Sequence, residues 1–200
     1  MGIEKFFNTF RLKYNKENLI QDTKYPYLKI STKNLFFDFN SIVHTISQKF
    51  IEQTKINNYK YDNDMMNKLI ISHTIKDLLF IIKNNFEYKN LEIVYIAIDG
   101  TPSKAKIIEQ RKRRFMGAIE SKIKKELTES SNISWSKNNI SPGTNFMNLL
   151  IKELNSKKTL EKIAELNDKI KFIVSGTKEF GEGEKKIIDY IDDNKIKSDI

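Results

Sequence analysis

The stretch LEIVYIAIDG, residues 91–100, decides the fold class, because it reads as a buried strand that stops at an acid and a glycine. A near-continuous apolar run rich in β-branched residues is typical of a strand covered on both faces of a parallel sheet. Similar runs lie at residues 34–40 (NLFFDFN) and 170–176 (IKFIVSG). Helical patterns separate the three runs, so the sequence predicts an α/β fold with a parallel sheet flanked by helices.

The segments around the predicted strands carry apolar residues at helical spacing. Helices are predicted at residues 3–14, 41–53, 65–84, 104–127, 144–166 and 182–193. Ser41, Asp64 and Thr144 are the candidate N-caps, since short polar side chains accept hydrogen bonds from the free N–H groups of a first turn. Residues 55–64 are polar and are predicted to form a surface loop.

Composition limits the kinds of site that the chain can build. Hydrophobic residues make up 39% of the 200 residues, and there is no cysteine, which excludes disulfides and thiolate metal sites. A metal would be held by oxygen ligands, or at most by the two histidines, and this favours Mg²⁺ or Mn²⁺ over zinc. We find no signal peptide, no membrane-spanning run and no cysteine, so we expect an intracellular protein without a membrane partner. Within the cell, we expect the cytoplasm rather than the nucleus.

The charge balance favours a polyanionic partner such as nucleic acid or an acidic membrane face. The net charge is 35 − 26 = +9. Lysine, asparagine and isoleucine are frequent throughout, so a general compositional bias could account for most of the lysines. It does not account for the arginines, because three of the four (Arg111, Arg113 and Arg114, but not Arg11) fall within four residues.

Four acids follow the predicted strands. Asp38 and Asp99 close the first two, and Glu182 and Glu184 lie in the glycine-rich turn after the third. Because the carboxyl ends of parallel strands meet at one edge of a sheet, we expect these acids to gather there. Like charges raise one another's pKa, whereas two Mg²⁺ ions ~3.5–4 Å apart would bind them and could drive phosphodiester hydrolysis.

Each acid also has an ordinary explanation when it is taken alone. The aspartates could be turn residues, and the glutamates could favour the positive end of a helix. The glycines make these explanations less satisfactory for the set, since five of seven fall in loops at the same predicted edge. They are Gly100, Gly143, Gly176, Gly181 and Gly183.

The predicted helix at residues 104–127 has a cationic face. At about 100° per residue, Lys106, Gln110, Arg113 and Arg114 lie within an arc of about 100°, opposite an apolar face. Arginine presents a planar fork that matches phosphate oxygens, and lysine adds a point charge. A solvated surface helix is the alternative explanation.

Five segments, taken in order, resemble the XRN family of 5′→3′ exoribonucleases. They are MGIEKFF, LFFDFNSIVH, YIAIDGTPSKAKIIEQRKRRF, NNISPGTNFM and SGTKEFGEGEKKIIDYI, which together span residues 1 to about 192. The resemblance implies a PIN/5′-nuclease-like fold, with residues 1–200 as the N-terminal segment of the exonuclease domain. It also implies two-metal hydrolysis of RNA that bears a 5′-monophosphate, with release of nucleoside monophosphates.

The resemblance also assigns roles to individual residues. Asp38, Asp99, Glu182 and Glu184 match the catalytic metal-site acids, and Lys106, Gln110, Arg113 and Arg114 match the pocket for the 5′-monophosphate. His44 matches a histidine that stacks on the first base, whereas His73 matches no family residue and is interpreted as structural.

The chain departs from the family pattern at both ends. Glu4 stands where the family usually has proline, and the sequence stops at Ile200, before a strand that carries two further metal-binding aspartates in the family. Asp189, Asp192 and Asp193 are poor substitutes, so we expect a half-built metal site. Two alternatives stay open: a flap-endonuclease-like DNA nuclease, and a truncated fragment that binds RNA without cutting it.

Overall fold

The computed structural model describes residues 29–57, 59, 61–128 and 135–196. Within them three strands form a parallel sheet in the order β1-β2-β3. The strands are β1 (Asn34–Asp38), β2 (Ile93–Ala97) and β3 (Lys171–Ser175). The α/β class and the parallel sheet predicted from the sequence are therefore confirmed. The helix predicted at residues 3–14 lies outside the described residues.

Helices precede and follow the strands throughout the described part of the chain. They are α1 (Phe39–Ile56), α2 (Asn63–Asn85), α3 (Lys104–Thr128), α4 (Asn145–Leu154), α5 (Lys157–Leu166) and α6 (Gly183–Asp193). Two short 3-10 helices lie at Tyr88–Asn90 and Lys137–Asn139. None of the helices in these described ranges is both long and apolar enough to cross a membrane.

The central strand β2 is buried on both faces, which is why its sequence is apolar without alternation. Val94 and Ile96 are fully buried in a core that α1, α2 and α4 help to form. On the other face, the ring of Tyr190 in α6 lies 4.4 Å from the ring of Tyr95 in β2 and 6.3 Å from the ring of Phe36 in β1. The sheet thus has helices on both sides.

The register brings the carboxyl ends of the strands to one level. Asp38, the last residue of β1, pairs with Ala97 of β2, and Ala97 pairs with Ser175 of β3. The acids that follow the strands therefore begin from the same edge of the sheet, as the sequence predicts.

Two predicted N-caps are wrong. Helix α1 begins at Phe39, immediately after β1, so Ser41 lies inside its first turn and its hydroxyl donates to the Asp38 carbonyl at 2.8 Å. Asp62, not Asp64, caps α2, with the Met65 backbone N–H donating to Asp62 Oδ1 at 2.7 Å. Because Asp62 and Asp64 are both aspartates and lie two residues apart, the sequence alone does not decide which of them caps α2.

The helix predicted at residues 144–166 is two helices. Thr144 caps the first, as predicted. The second has its own cap, because the Ser156 hydroxyl accepts a hydrogen bond from the Thr159 backbone N–H at 3.2 Å. A serine side chain that takes over the bonding of a new first turn permits this break without a proline or a glycine.

The apolar face predicted for α3 is present but is not covered by the described core. Ile108, Phe115 and Ile119 keep 61%, 67% and 39% of their surface exposed. Among the residues that the structure describes, both faces of this helix are therefore largely accessible over residues 111–120.

Candidate functional site

The loops that follow β2 and β3 are bonded to each other. The Gly100 N–H donates to the Gly181 carbonyl at 2.8 Å, and the Gly181 N–H donates to the Thr101 carbonyl at 3.1 Å. A Cβ atom on residue 100 would lie 1.7 Å from the Glu179 carbonyl oxygen, so only glycine permits this approach. The pairing places the turn that carries the two glutamates beside Asp99.

Both aspartates lie against the first residue of α6. The Gly183 N–H donates to Asp99 Oδ1 at 2.8 Å. A Cβ atom on residue 183 would lie 2.7 Å from Asp38 Oδ1, so the absence of a side chain at Gly183 admits the second carboxylate. The unpaired N–H groups and the dipole of a helix N-terminus favour negative charge, which stabilises the aspartates there.

The four predicted metal-site acids are close enough to affect one another. Burial raises the pKa of the Asp38 carboxyl above its ordinary value of 3.8. The charges of Asp99 and Glu184 raise this pKa further and that of Glu182 adds to them, while a hydrogen bond from the Asn40 backbone N–H lowers it. The edge of the sheet therefore carries concentrated negative charge.

These acids share an edge without converging on one point. Across residues 29–57, 59, 61–128 and 135–196, no three acidic or histidine side chains are placed to hold one metal ion. Glu182 is turned to Lys106, whose Nζ lies 3.4 Å from its Oε2. Repulsion between like charges and this ion pair both favour separated carboxylates.

Replacing Asp38 by asparagine should stabilise the protein at neutral pH when divalent cations are absent. A pKa that is raised by folding means that the protonated carboxyl favours the fold below about pH 3.8, and that this stabilisation is lost as pH rises through the higher folded pKa. Thermal unfolding in EDTA should show a higher melting temperature for Asp38→Asn at pH 7, and the gain should vanish in acid.

Asp189→Asn is the matched control for that experiment. Asp189 is an exposed acid that pairs with Lys185 on the same helix, so its replacement should not stabilise the protein at pH 7. A melting temperature of Asp38→Asn that is equal to or below that of the parent at pH 7 would contradict the raised pKa of Asp38.

Asn40 connects the two aspartates and was not identified from the sequence as a site residue. Its Oδ1 accepts a hydrogen bond from the Asp99 backbone N–H at 3.3 Å, and its own N–H is bonded to Asp38. The side chain is almost completely buried. The feature of the sequence that could have identified Asn40 is its position two residues after Asp38, the acid that ends β1.

Lys186 is a second residue that sequence reasoning missed. It is only 5% exposed, and its Nζ donates to the carbonyls of Ile98 and Gly176, both at 2.7 Å. Burial lowers the pKa of Lys186, and the charges of Glu179 and Asp99 oppose this effect. Gly183, Lys186 and Tyr190 are spaced three and four residues apart, so they lie on one face of α6. This spacing is the feature of the sequence that could have identified Lys186. The lysine ties the ends of β2 and β3 together.

The predicted cationic face of α3 reaches the acids at its first turn. Lys106 bridges to Glu182, as described above, and the two side chains are partly buried. Further along, Arg114 Nη2 donates to Gln110 Oε1 at 3.5 Å. Arg113 and Arg114 are exposed, so their donors are accessible to a ligand.

His44 lies near enough to Lys137, Arg113 and Asp99 for their charges to act on its ring. Partial desolvation of its ring lowers the pKa below 6.5 even though the side chain as a whole is exposed. The charges of Lys137 and Arg113 lower the pKa further, and that of Asp99 opposes them. These effects favour the neutral imidazole, a ring that can stack on a base without a charge.

The comparisons with known proteins agree with one another. The family described as the XRN 5′-3′ exonuclease N-terminus matches residues 1–200. The 5′-3′ exoribonuclease 1 of Saccharomyces cerevisiae is 31% identical over 211 residues, which cover 100% of this chain and 13% of the yeast protein. The 5′-3′ exoribonuclease 1 of Homo sapiens is 29% identical, with 100% of this chain and 11% of the human protein covered.

The chain is also similar to a protein named 5′-3′ exoribonuclease 2. The 5′-3′ exoribonuclease 2 of Schizosaccharomyces pombe is 28% identical over 190 residues, covering 84% of this chain and 18% of that protein. The chain thus spans less than a fifth of the length of these three relatives.

Proposed function

This chain belongs to the XRN 5′-3′ exonuclease family, and on that premise we propose that it is part of an enzyme that hydrolyses 5′-monophosphorylated RNA from its 5′ end. The observation that carries the proposal is that Asp38 and Asp99 both lie against Gly183 at the start of α6, with Glu182 and Glu184 on either side of this glycine and Lys106 paired with Glu182. We assign residues 1–200 to the N-terminal segment of the exonuclease domain, and RNA decay to the intact protein.

The donor set fits a hard divalent cation, Mg²⁺ or Mn²⁺. All four groups are carboxylates. Burial and the charges of the neighbouring acids raise the pKa of Asp38, and a divalent cation offsets the repulsion among these charges. We propose that Asp38, Asp99, Glu182 and Glu184 hold such ions. When bound, the ions supply activation of water and stabilisation of charge on the leaving oxygen.

The other residues bind and orient the substrate. We assign the terminal phosphoryl group to the cationic face of α3, where Lys106, Gln110, Arg113 and Arg114 offer donors. Lys106 already contacts Glu182, so a phosphoryl group on this face would lie next to the acids. The ring of His44 is assigned to the first base. The hold of the cationic face of α3 on the terminal phosphoryl group sets the register of the cut.

A second candidate function is RNA binding without cleavage. The observation in its favour is that no three acids in the described part of the chain are placed to hold one ion. Binding of single-stranded RNA without turnover in either Mg²⁺ or Mn²⁺ would favour this candidate over the exonuclease.

The phosphate pocket is tested by comparing 5′-monophosphate RNA with 5′-hydroxyl RNA in Mg²⁺, using the intact protein. The parent should degrade the phosphorylated strand at least about tenfold faster, since a charge-assisted contact contributes about 1.5–3 kcal/mol. Arg113→Ala should remove most of this preference by raising KM for the phosphorylated strand only.

Arg111→Ala is the control, because Arg111 is an exposed arginine on the same helix but lies outside the cationic face. It should keep the preference of the parent. Equal rates on the two RNAs with the parent enzyme would overturn the pocket assignment, as would an Arg111→Ala variant that loses the preference to the same extent as Arg113→Ala.

A further inference from the structure

Lys137 is held beside His44 by a short chain of hydrogen bonds. Its Nζ donates to Gln48 Oε1 at 2.9 Å, and Gln48 Nε2 donates to Glu52 Oε1 at 3.0 Å. The second bond turns the carbonyl oxygen of the amide toward the lysine. Gln48 follows His44 by four residues on α1, so the ammonium group lies one turn beyond the histidine.

The backbone that carries Lys137 is fixed to the core on both sides. Before it, Trp135 is 5% exposed and its Nε1 donates to Asn67 Oδ1 at 2.7 Å. After it, Ile140 is buried in the same core. Ser136 caps the 3-10 helix through a hydrogen bond from the Asn138 backbone N–H. The position of this lysine is therefore set by the fold, unlike that of a lysine on a loose surface loop.

The charge of Lys137 is available to a ligand. Among the ion pairs of the described residues, Lys137 makes none, and Gln48 is a neutral partner. Its charge and that of Arg113 both act on the ring of His44. Arg113 of α3 and Lys137 of the 3-10 helix at Lys137–Asn139 thus produce a positive potential around an exposed ring of α1, which the charge of Asp99 opposes. This is a suitable environment for a phosphate next to a base.

We propose that Lys137 forms a second phosphate-binding position, which takes an internal phosphodiester of single-stranded RNA. This inference rests on the proposed function, because it uses the 5′ end on α3 and the first base on His44 as the starting points of the strand. Lys137 is anchored over α1, one turn beyond His44, whereas the residues assigned to the terminal phosphoryl group lie on α3. A strand that passes His44 therefore brings its next phosphate to the lysine.

The salt dependence of RNA binding tests this position. The probe is a fluorescent ten-nucleotide oligouridylate, bound to the intact protein in EDTA so that the strand stays uncut. Each phosphate contact to a single strand contributes about 0.7 to the slope of log K against log salt. Lys137→Ala should lower the magnitude of the slope by about 0.7, so that the ratio of the parent's affinity to the variant's is about fivefold larger at ~0.1 M than at ~1 M salt. Lys137→Arg should retain the slope.

Lys169→Ala is the matched control. Lys169 is an exposed lysine before β3, at the opposite edge of the sheet, and its removal should leave the slope unchanged. The effect of Lys137→Ala should be equal on 5′-monophosphate and 5′-hydroxyl strands. An unchanged slope, or a loss seen only with the 5′-monophosphate strand, would overturn the proposal.

Arg113→Ala in the same assay separates this inference from the proposed function. If Arg113→Ala weakens only the phosphorylated strand while Lys137→Ala has no effect, the second position is wrong and the pocket stands. If the parent binds both strands with the same affinity and the same slope, the terminal-phosphate pocket itself is wrong.

Discussion

Asp99→Asn should lower the turnover of 5′-monophosphorylated RNA by about a thousandfold or more without lowering the melting temperature. Asparagine keeps an oxygen that can accept the hydrogen bond from Gly183, so the start of α6 stays in place. The lost charge also relieves Asp38 of its largest charge repulsion. A metal-site charge supplies several kcal/mol of transition-state stabilisation, and about 4 kcal/mol is a thousandfold in rate.

The control is again Asp189, an exposed acid of α6. Asp189→Asn makes the same chemical change at a residue paired with Lys185, and its turnover should stay within about twofold of the parent, as for an ordinary surface substitution. Single-turnover rates with saturating enzyme separate the chemical step from RNA binding. Retention of more than a tenth of the parent rate by Asp99→Asn would contradict the role that we assign to this carboxylate.

Gly100→Ala should unfold the protein at lower urea, with a loss of about 3 kcal/mol or more. The new Cβ would lie 1.7 Å from the Glu179 carbonyl oxygen and 3.3 Å from that of Gly181. Both neighbours are backbone atoms, so the loops after β2 and β3 must separate. Because the second loop carries Glu182 and Glu184, the variant should also lose turnover under conditions in which it stays folded.

For Gly117→Ala, which is also a glycine-to-alanine substitution, we expect the opposite change in stability. Gly117 lies within α3, and a Cβ atom there would have no neighbour within 4 Å. Alanine in a helix interior is favoured over glycine by about 0.5–1 kcal/mol, so this variant should be slightly more stable. Urea unfolding with matched m-values measures both changes. Equal stability of the two variants would show that the close approach at Gly100 does not exist.

The strands and the acids could be predicted from the sequence because each depends on local pattern. The apolar run ending at Asp99 indicates a strand buried on both faces, and the parallel order places Asp38 at the same edge. The cationic face of α3 follows from helical geometry alone. The functional assignment of these residues came from the resemblance to the family.

The supporting residues could not be predicted, since their roles arise from contacts between distant segments. The sequence does not by itself distinguish the role of Lys186 from that of the other lysines. That role arises because α6 packs on the sheet and buries this side chain against the ends of two strands. Lys137 is equally ordinary until Gln48, from another helix, accepts its hydrogen bond. The choice between Asp62 and Asp64 as a cap depends on where the chain enters α2, which the polar pattern of the preceding loop does not specify.

Binding of Mn²⁺ to the intact protein, followed by the paramagnetic resonance of the free ion, tests most directly whether the clustered carboxylates hold divalent cations. The account predicts that Asp38→Asn and Asp99→Asn each weaken Mn²⁺ binding by at least about tenfold, whereas Asp189→Asn binds Mn²⁺ as the parent does. Indistinguishable Mn²⁺ binding by the parent and all three variants would contradict it.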